Sequence, residues 1–178
     1  MRSPEVEPGL DSVSQGSILA VPPALASRPV VPPPAPSRGW VVYSRGMASI
    51  RSEIRTKASP AAAWDAIRDI GALHRRLVPG FVVDTQLEDG GRRVTFGNGM
   101  VVKELIVDLN DQARRLAWVS IGGQLTHYSA SVQVFPEGDG SLVVWIADLL
   151  PNEAAPGIRA MIEQGSAVMK QTLDRLAR

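Results

Sequence analysis

The sequence has no cysteine and only two histidines, His74 and His127, among 178 residues. Disulfides, thiolate zinc sites, iron–sulfur clusters and cysteine nucleophiles are therefore excluded. Two histidines without an HExxH-type spacing do not make a histidine-rich metal site, so neither a metal nor a cofactor is expected. Long apolar runs are missing as well. None approaches the ~20 residues of a spanning helix, so stable membrane insertion is not expected. Nor is there an excess of either charge, since 19 Lys and Arg face 18 Asp and Glu. That balance offers no broad electrostatic footprint for nucleic acid or an anionic membrane. The stretch nearest to a secretion signal runs from Ser17 to Ser27. It follows an acidic segment and is interrupted by Pro22-Pro23, against the basic-then-apolar pattern of such signals. A cytoplasmic protein is expected.

Proline is present but unevenly placed. Nine of the fourteen prolines precede position 37, and Pro32-Pro33-Pro34 are consecutive. Large apolar residues are sparse there and follow neither helical nor strand spacing. Such a segment cannot bury enough surface to offset its ordering entropy. Residues 1–46 are expected to form a disordered, polyproline-like tail. Met47 also reads as an alternative start of the chain, and a docking tail for a proline-binding module is a third reading. Residues 47–178 have the length of a single domain, with basic and acidic residues equal in number.

Within that domain the hydrophobic period changes in a definite order. Ala48–Lys57 alternates Ile50, Ser52, Ile54 and Thr56 with charged neighbours, which predicts a half-exposed strand. Ser59-Pro60 is a helix start, with a capping hydroxyl followed by a proline at the first helical position. A helix with Trp64 and Ile67 on one side follows, then a second short helix over about Ile70–Arg76. Six strand-like segments come next: Phe81–Glu88, Arg92–Phe96, Met100–Leu109, Arg114–Ile121, Gln124–Phe135 and Leu142–Leu149. Short turns rich in glycine, asparagine and aspartate separate them, as antiparallel hairpins require. After Pro151, apolar residues from Ile158 to Leu176 recur at helical spacing. The prediction is an α+β fold, in which a curved seven-stranded antiparallel sheet wraps a long C-terminal helix. Two short helices follow the first strand.

Strand parity assigns faces. In Gln124–Phe135, Thr126, Tyr128, Ala130, Val132 and Val134 form the more apolar set. Tyr128 therefore points toward the helix and His127 away. In Arg114–Ile121, Leu116 and Trp118 share one parity, and Arg115, Ala117 and Val119 the other. In Met100–Leu109 the two sets are nearly tied. Met100, Val102, Glu104 and Ile106 oppose Val101, Lys103, Leu105 and Val107, so periodicity leaves open which charge, Lys103 or Glu104, faces inward.

The stretches SPAAAWDAIRDIGALHRRLVPG, GMVVKELIVDLNDQARRLAWVSIGG and HYSASVQVFPEGDGSLVVWIADLLP, taken in this order of elements, resemble the START-like, or Bet v 1-like, superfamily (SRPBCC). The likeness is greatest to its bacterial polyketide cyclase/dehydrase and lipid-transport group. Trp64, Glu104, Arg114/Arg115 and Trp145 match the family's pattern of a first-helix tryptophan, a mid-strand glutamate, an arginine-led next strand and a last-strand tryptophan. The resemblance implies a helix-grip fold with a cavity between sheet and helix. It also implies a polar residue on the cavity side at position 104. Together with the longer reach of lysine toward water, this turns Glu104 inward and Lys103 outward. Trp118 turns inward by the same pattern.

Members of this superfamily include cyclases, condensing enzymes, lipid carriers, hormone receptors and chaperone activators, so no single role transfers. The first expectation is a binding module for a small apolar molecule, lipid or polyketide-like. Its wall would comprise Met100, Val102, Glu104, Trp118, Tyr128 and Ala130, with Met161 and Met169 from the last helix. The alternative is a cyclase- or dehydratase-type enzyme. Glu104 would serve as general acid or base, Tyr128 would donate to an enolate oxygen, and His74 would assist at the mouth. Each residue also has a plainer reading. Tryptophans and methionines commonly fill cores, His74 sits at a helix end beside Arg75-Arg76, and an inward Glu104 can be a structural acceptor.

Overall fold

The structure, a computed structural model, describes residues 46–177. Residues 1–45, and with them nearly all of the expected tail, lie outside the described residues. The first strand, β1 (Ala48–Thr56), carries the alternation seen in the sequence, with Ile50 and Ile54 buried. Helix α1 (Pro60–Arg68) starts where the cap predicts, and the Ser59 hydroxyl accepts the Ala62 amide at 3.2 Å. The second short helix is a single π-helical turn, Leu73–Leu77, closed by the Val78 amide on the Leu73 carbonyl at 2.9 Å.

Six strands follow: β2 (Val82–Glu88), β3 (Gly91–Phe96), β4 (Val101–Asn110), β5 (Arg115–Ile121), β6 (His127–Glu137) and β7 (Gly140–Leu150). They join β1 in one seven-stranded antiparallel sheet of order β1-β7-β6-β5-β4-β3-β2. A short 3₁₀ turn (Asn152–Ala154) leads into α2 (Ala155–Arg175). This is the α+β helix-grip architecture expected from the order of periodicities.

Register shows which face meets the helix. Ile106, Trp118, Ala130, Ala147 and Ile50 lie opposite one another across five strands, and Leu116, Val132, Trp145 and Ser52 form the next row. From these rows Ser52 reaches α2, where its hydroxyl meets that of Ser166 at 2.9 Å. Further along, Asp174 of α2 accepts the Thr56 hydroxyl at 2.8 Å and the Lys57 amide at 2.9 Å. Four residues of strand and eight of helix both span about 12–13 Å, so α2 runs along β1 in the same direction. Ile162, Met169 and Leu173 are its large buried apolar residues against the sheet. At Gly165 a side chain would press on Phe81 and Trp145, with the nearest atom 2.9 Å from an added Cβ.

Candidate functional site

The face that carries Ile50 and Trp118 also carries Glu104, as Glu104 pairs with Ser120, two positions along β5 from Trp118. Lys103 points the other way, where its ammonium lies 3.3 Å from Glu88 on the outer face. Glu104 is buried, and the group opposite it on β3 is Arg92. The guanidinium Nε donates to Glu104 Oε2 at 2.7 Å, and the two side chains are only 3% and 9% exposed. The Arg92 guanidinium carbon stands 5.6 Å from the ring centre of Trp118, within cation–π range. Gly91, next to Arg92, permits this arrangement. A Cβ there would fall 2.0 Å from the Glu104 carbonyl oxygen, so only glycine lets β3 approach β4 so closely.

Leu87, Arg92, Glu104 and Ser120 therefore form one row across four strands. Tyr128 on β6 lies one step past the Val119–Ser129 pair, beyond the small Ser120. Burial pushes the Tyr128 hydroxyl well above the usual phenol range, and the Glu104 charge adds to it. Tyr128 thus remains a protonated donor at physiological pH. Above this row, Trp118 and Trp145 pack with ring centres 6.3 Å apart, and among the described residues neither indole Nε1 has a hydrogen-bond partner.

The other expected residues fall as follows. Ala130 is buried in the Trp118 row, and Val102 lies half-buried opposite Val94. Met169 belongs to the core and Met161 is half-buried. Met100, expected in the inner wall, is 38% exposed. It sits ahead of β4 because its carbonyl accepts the Phe96 amide at 2.8 Å and closes the β3–β4 turn there. His74 lies on the π-helical turn; among the described residues its buried Nδ1 has no partner, and no hydrogen bond joins it to Glu104 or Tyr128. Trp64 is a core residue whose Nε1 donates to Asp111 at 2.9 Å, tying α1 to the β4–β5 turn.

Sequence reasoning did not single out Arg92. Its signal was the pair Arg92-Arg93 within one strand, since two adjacent arginines there must face opposite ways. Two hollows lie outside the space between sheet and helix. One hollow of about 530 Å³ lies at the end of α2 by Lys57, Gln171 and Asp174. Another, of about 200 Å³, lies mainly on the outer face by Arg115, Ser129, Ser131 and Asp148. Beneath α2, Gly165 packs closely on Phe81 and Trp145, and the Arg92 and Glu104 side chains are buried.

Among the described residues, no helix is long and apolar enough to cross a membrane. Comparison with solved structures returns the same architecture. XoxI of Bacillus cereus is 22% identical with a TM-score of 0.66, over 74% of this chain and 99% of that one. A protein of Thermobifida fusca is 24% identical with a TM-score of 0.60, over 73% and 95%. Norcoclaurine synthase of Thalictrum flavum is 22% identical with a TM-score of 0.58, over 84% and 98%. At these identities the likeness establishes the fold alone. No curated protein matches the sequence. The family model described as polyketide cyclase / dehydrase and lipid transport matches residues 47–178. The chain belongs to that family, within the START-like, or Bet v 1-like, superfamily.

Proposed function

We propose that this chain binds a small, mainly apolar molecule between the sheet and α2. The observation that carries the reading is the buried row of Arg92 and Glu104, flanked by Trp118 and Tyr128, on the face that packs against the helix. A buried ion pair contributes little net stability compared with apolar side chains of the same volume, so the core alone gives no reason for it. A few polar groups set in an apolar wall are what a small-molecule site requires for orientation. Entry calls for side-chain movement. The half-buried Phe81, edge-on to Phe96 at 5.4 Å and touching Gly165, is the group placed to swing aside.

The test is a native mass spectrum of the purified protein for a co-purified molecule. A panel of apolar ligands, followed by tryptophan emission and melting temperature, completes it. A ligand at a hundred times its Kd adds about 2.7 kcal/mol of stability. A panel that leaves both emission and melting unchanged would remove the reading.

A second reading is acid–base catalysis of the cyclase or dehydratase kind. It is favoured by the placement of Glu104 on the same sheet face as Tyr128, with only the small Ser120 between them. Tyr128 would donate to a developing enolate oxygen, and Glu104 would release Arg92 to take a proton beside a carbonyl. Glu104→Gln should then abolish turnover of a poly-β-carbonyl substrate while the folded variant still binds it. Full turnover in that variant excludes Glu104 as the base.

A further inference from the structure

Two buried donors on the helix-facing side of the sheet have no acceptor among the described residues. Trp118 is 5% exposed, and both its Nε1 and that of Trp145 are buried without a partner among the described residues. Trp118 stands on β5 and Trp145 on β7, and Ala130 and Val132 of β6 lie between them in the same rows. The small Ala130 lets the two rings meet 6.3 Å apart at 52°. An indole N–H can only donate, and leaving one buried and unpaired costs the full desolvation of that group. Trp64 shows the contrast within this molecule, because its indole is equally buried and has Asp111 as acceptor.

Charge narrows the acceptor. Among the described residues, the buried charged groups are Arg92 and Glu104, and they neutralise each other. Among the described residues, a carboxylate brought beside this pair would meet a cation already neutralised by Glu104, and an ammonium an anion already neutralised by Arg92, so either would add an unpaired buried charge. A neutral acceptor would not.

We infer that the molecule bound between sheet and helix carries a neutral carbonyl oxygen, as in a ketone, aldehyde or ester, held by the indole N–H groups of Trp118 and Trp145. This rests on the binding reading above and names the polar group of its ligand. Of the two residues, Trp118 is the principal donor, since it lies beside the Arg92–Glu104 row.

The experiment uses three probes of one shape, 2-acetylnaphthalene, 2-ethylnaphthalene and 2-naphthoate, titrated by calorimetry into the full chain. The ketone should bind about tenfold tighter than the hydrocarbon, the gain expected for one or two buried hydrogen bonds. Trp118→Phe should bring that ratio close to one, and Trp145→Phe should lower it. In the unmodified ¹⁵N-labelled protein, indole Nε1–H resonances should shift downfield with the ketone and not with the hydrocarbon. This readout does not depend on how the variants fold. Equal affinity for ketone and hydrocarbon, with no indole shift specific to the ketone, overturns the inference and leaves apolar binding standing. Tighter binding of the naphthoate overturns the neutrality argument. Failure of all three probes to bind withdraws the inference together with the reading beneath it.

Discussion

Arg92 and Glu104 stand opposite each other on β3 and β4, and each makes the other's burial tolerable. Truncating one leaves the partner charged and dry, which costs about 3–5 kcal/mol. Replacing both with apolar groups of similar size costs far less. Glu104→Leu should therefore lower stability by about 3–5 kcal/mol in urea unfolding, and adding Arg92→Met should recover most of that loss. A double variant as unstable as the single would show that the two groups are not coupled. Recovery of stability without recovery of ligand binding is the outcome expected of a pair kept for function.

At the scale of elements, the fold depends on how α2 is fastened to β1. Near its C-terminal end, Asp174 collects the Lys170 ammonium at 2.9 Å, the Lys57 amide and the Thr56 hydroxyl. Lys170 and these donors hold the Asp174 carboxyl down to about 2, against a smaller opposing effect of burial. An unfolded aspartate titrates near about 3.9. The stabilisation is thus complete above about pH 4 and is lost as pH falls toward about 2. Asp174→Asn should lower stability by about 1 kcal/mol at neutral pH, a modest value because the site is partly exposed. The variant and the parent should converge near about pH 2. Parallel acid-unfolding curves for the two would remove Asp174 as the cause.

Across the whole molecule, order should grade from one edge of the sheet to the other. β6 and β7 are paired on both sides, β1 is covered by α2, and Ile50, Ile54, Val143, Ala147 and Leu149 are 0–2% exposed. β2 has one neighbour, and its Val83 and Leu87 are 52% and 64% exposed. Local opening is easiest where few apolar contacts must be broken. Amide exchange should therefore be slowest in β6 and β7, and at least about a hundredfold faster along β2. Phe81 immediately precedes β2, so the looser edge is also where a ligand would enter. Uniform protection across β2 and β7 would remove this route.

Much of this was legible from the residues alone. Alternation in β1 and β6, the Ser59-Pro60 cap and the helical repeat after Pro151 determined the order of elements, because period and punctuation are local properties. Parity alone placed Tyr128 inward, since one of its two faces is clearly the more apolar. It could not decide between Lys103 and Glu104, whose two faces carry almost equal apolar character. Nor could it name Arg92 as partner, place Met100 in a turn, or show the packing of Gly165 on Phe81 and Trp145. Those depend on which strands lie side by side and on how closely the helix approaches. Contacts between residues distant in the chain exist only once the sheet has closed on α2, and the site is made of such contacts.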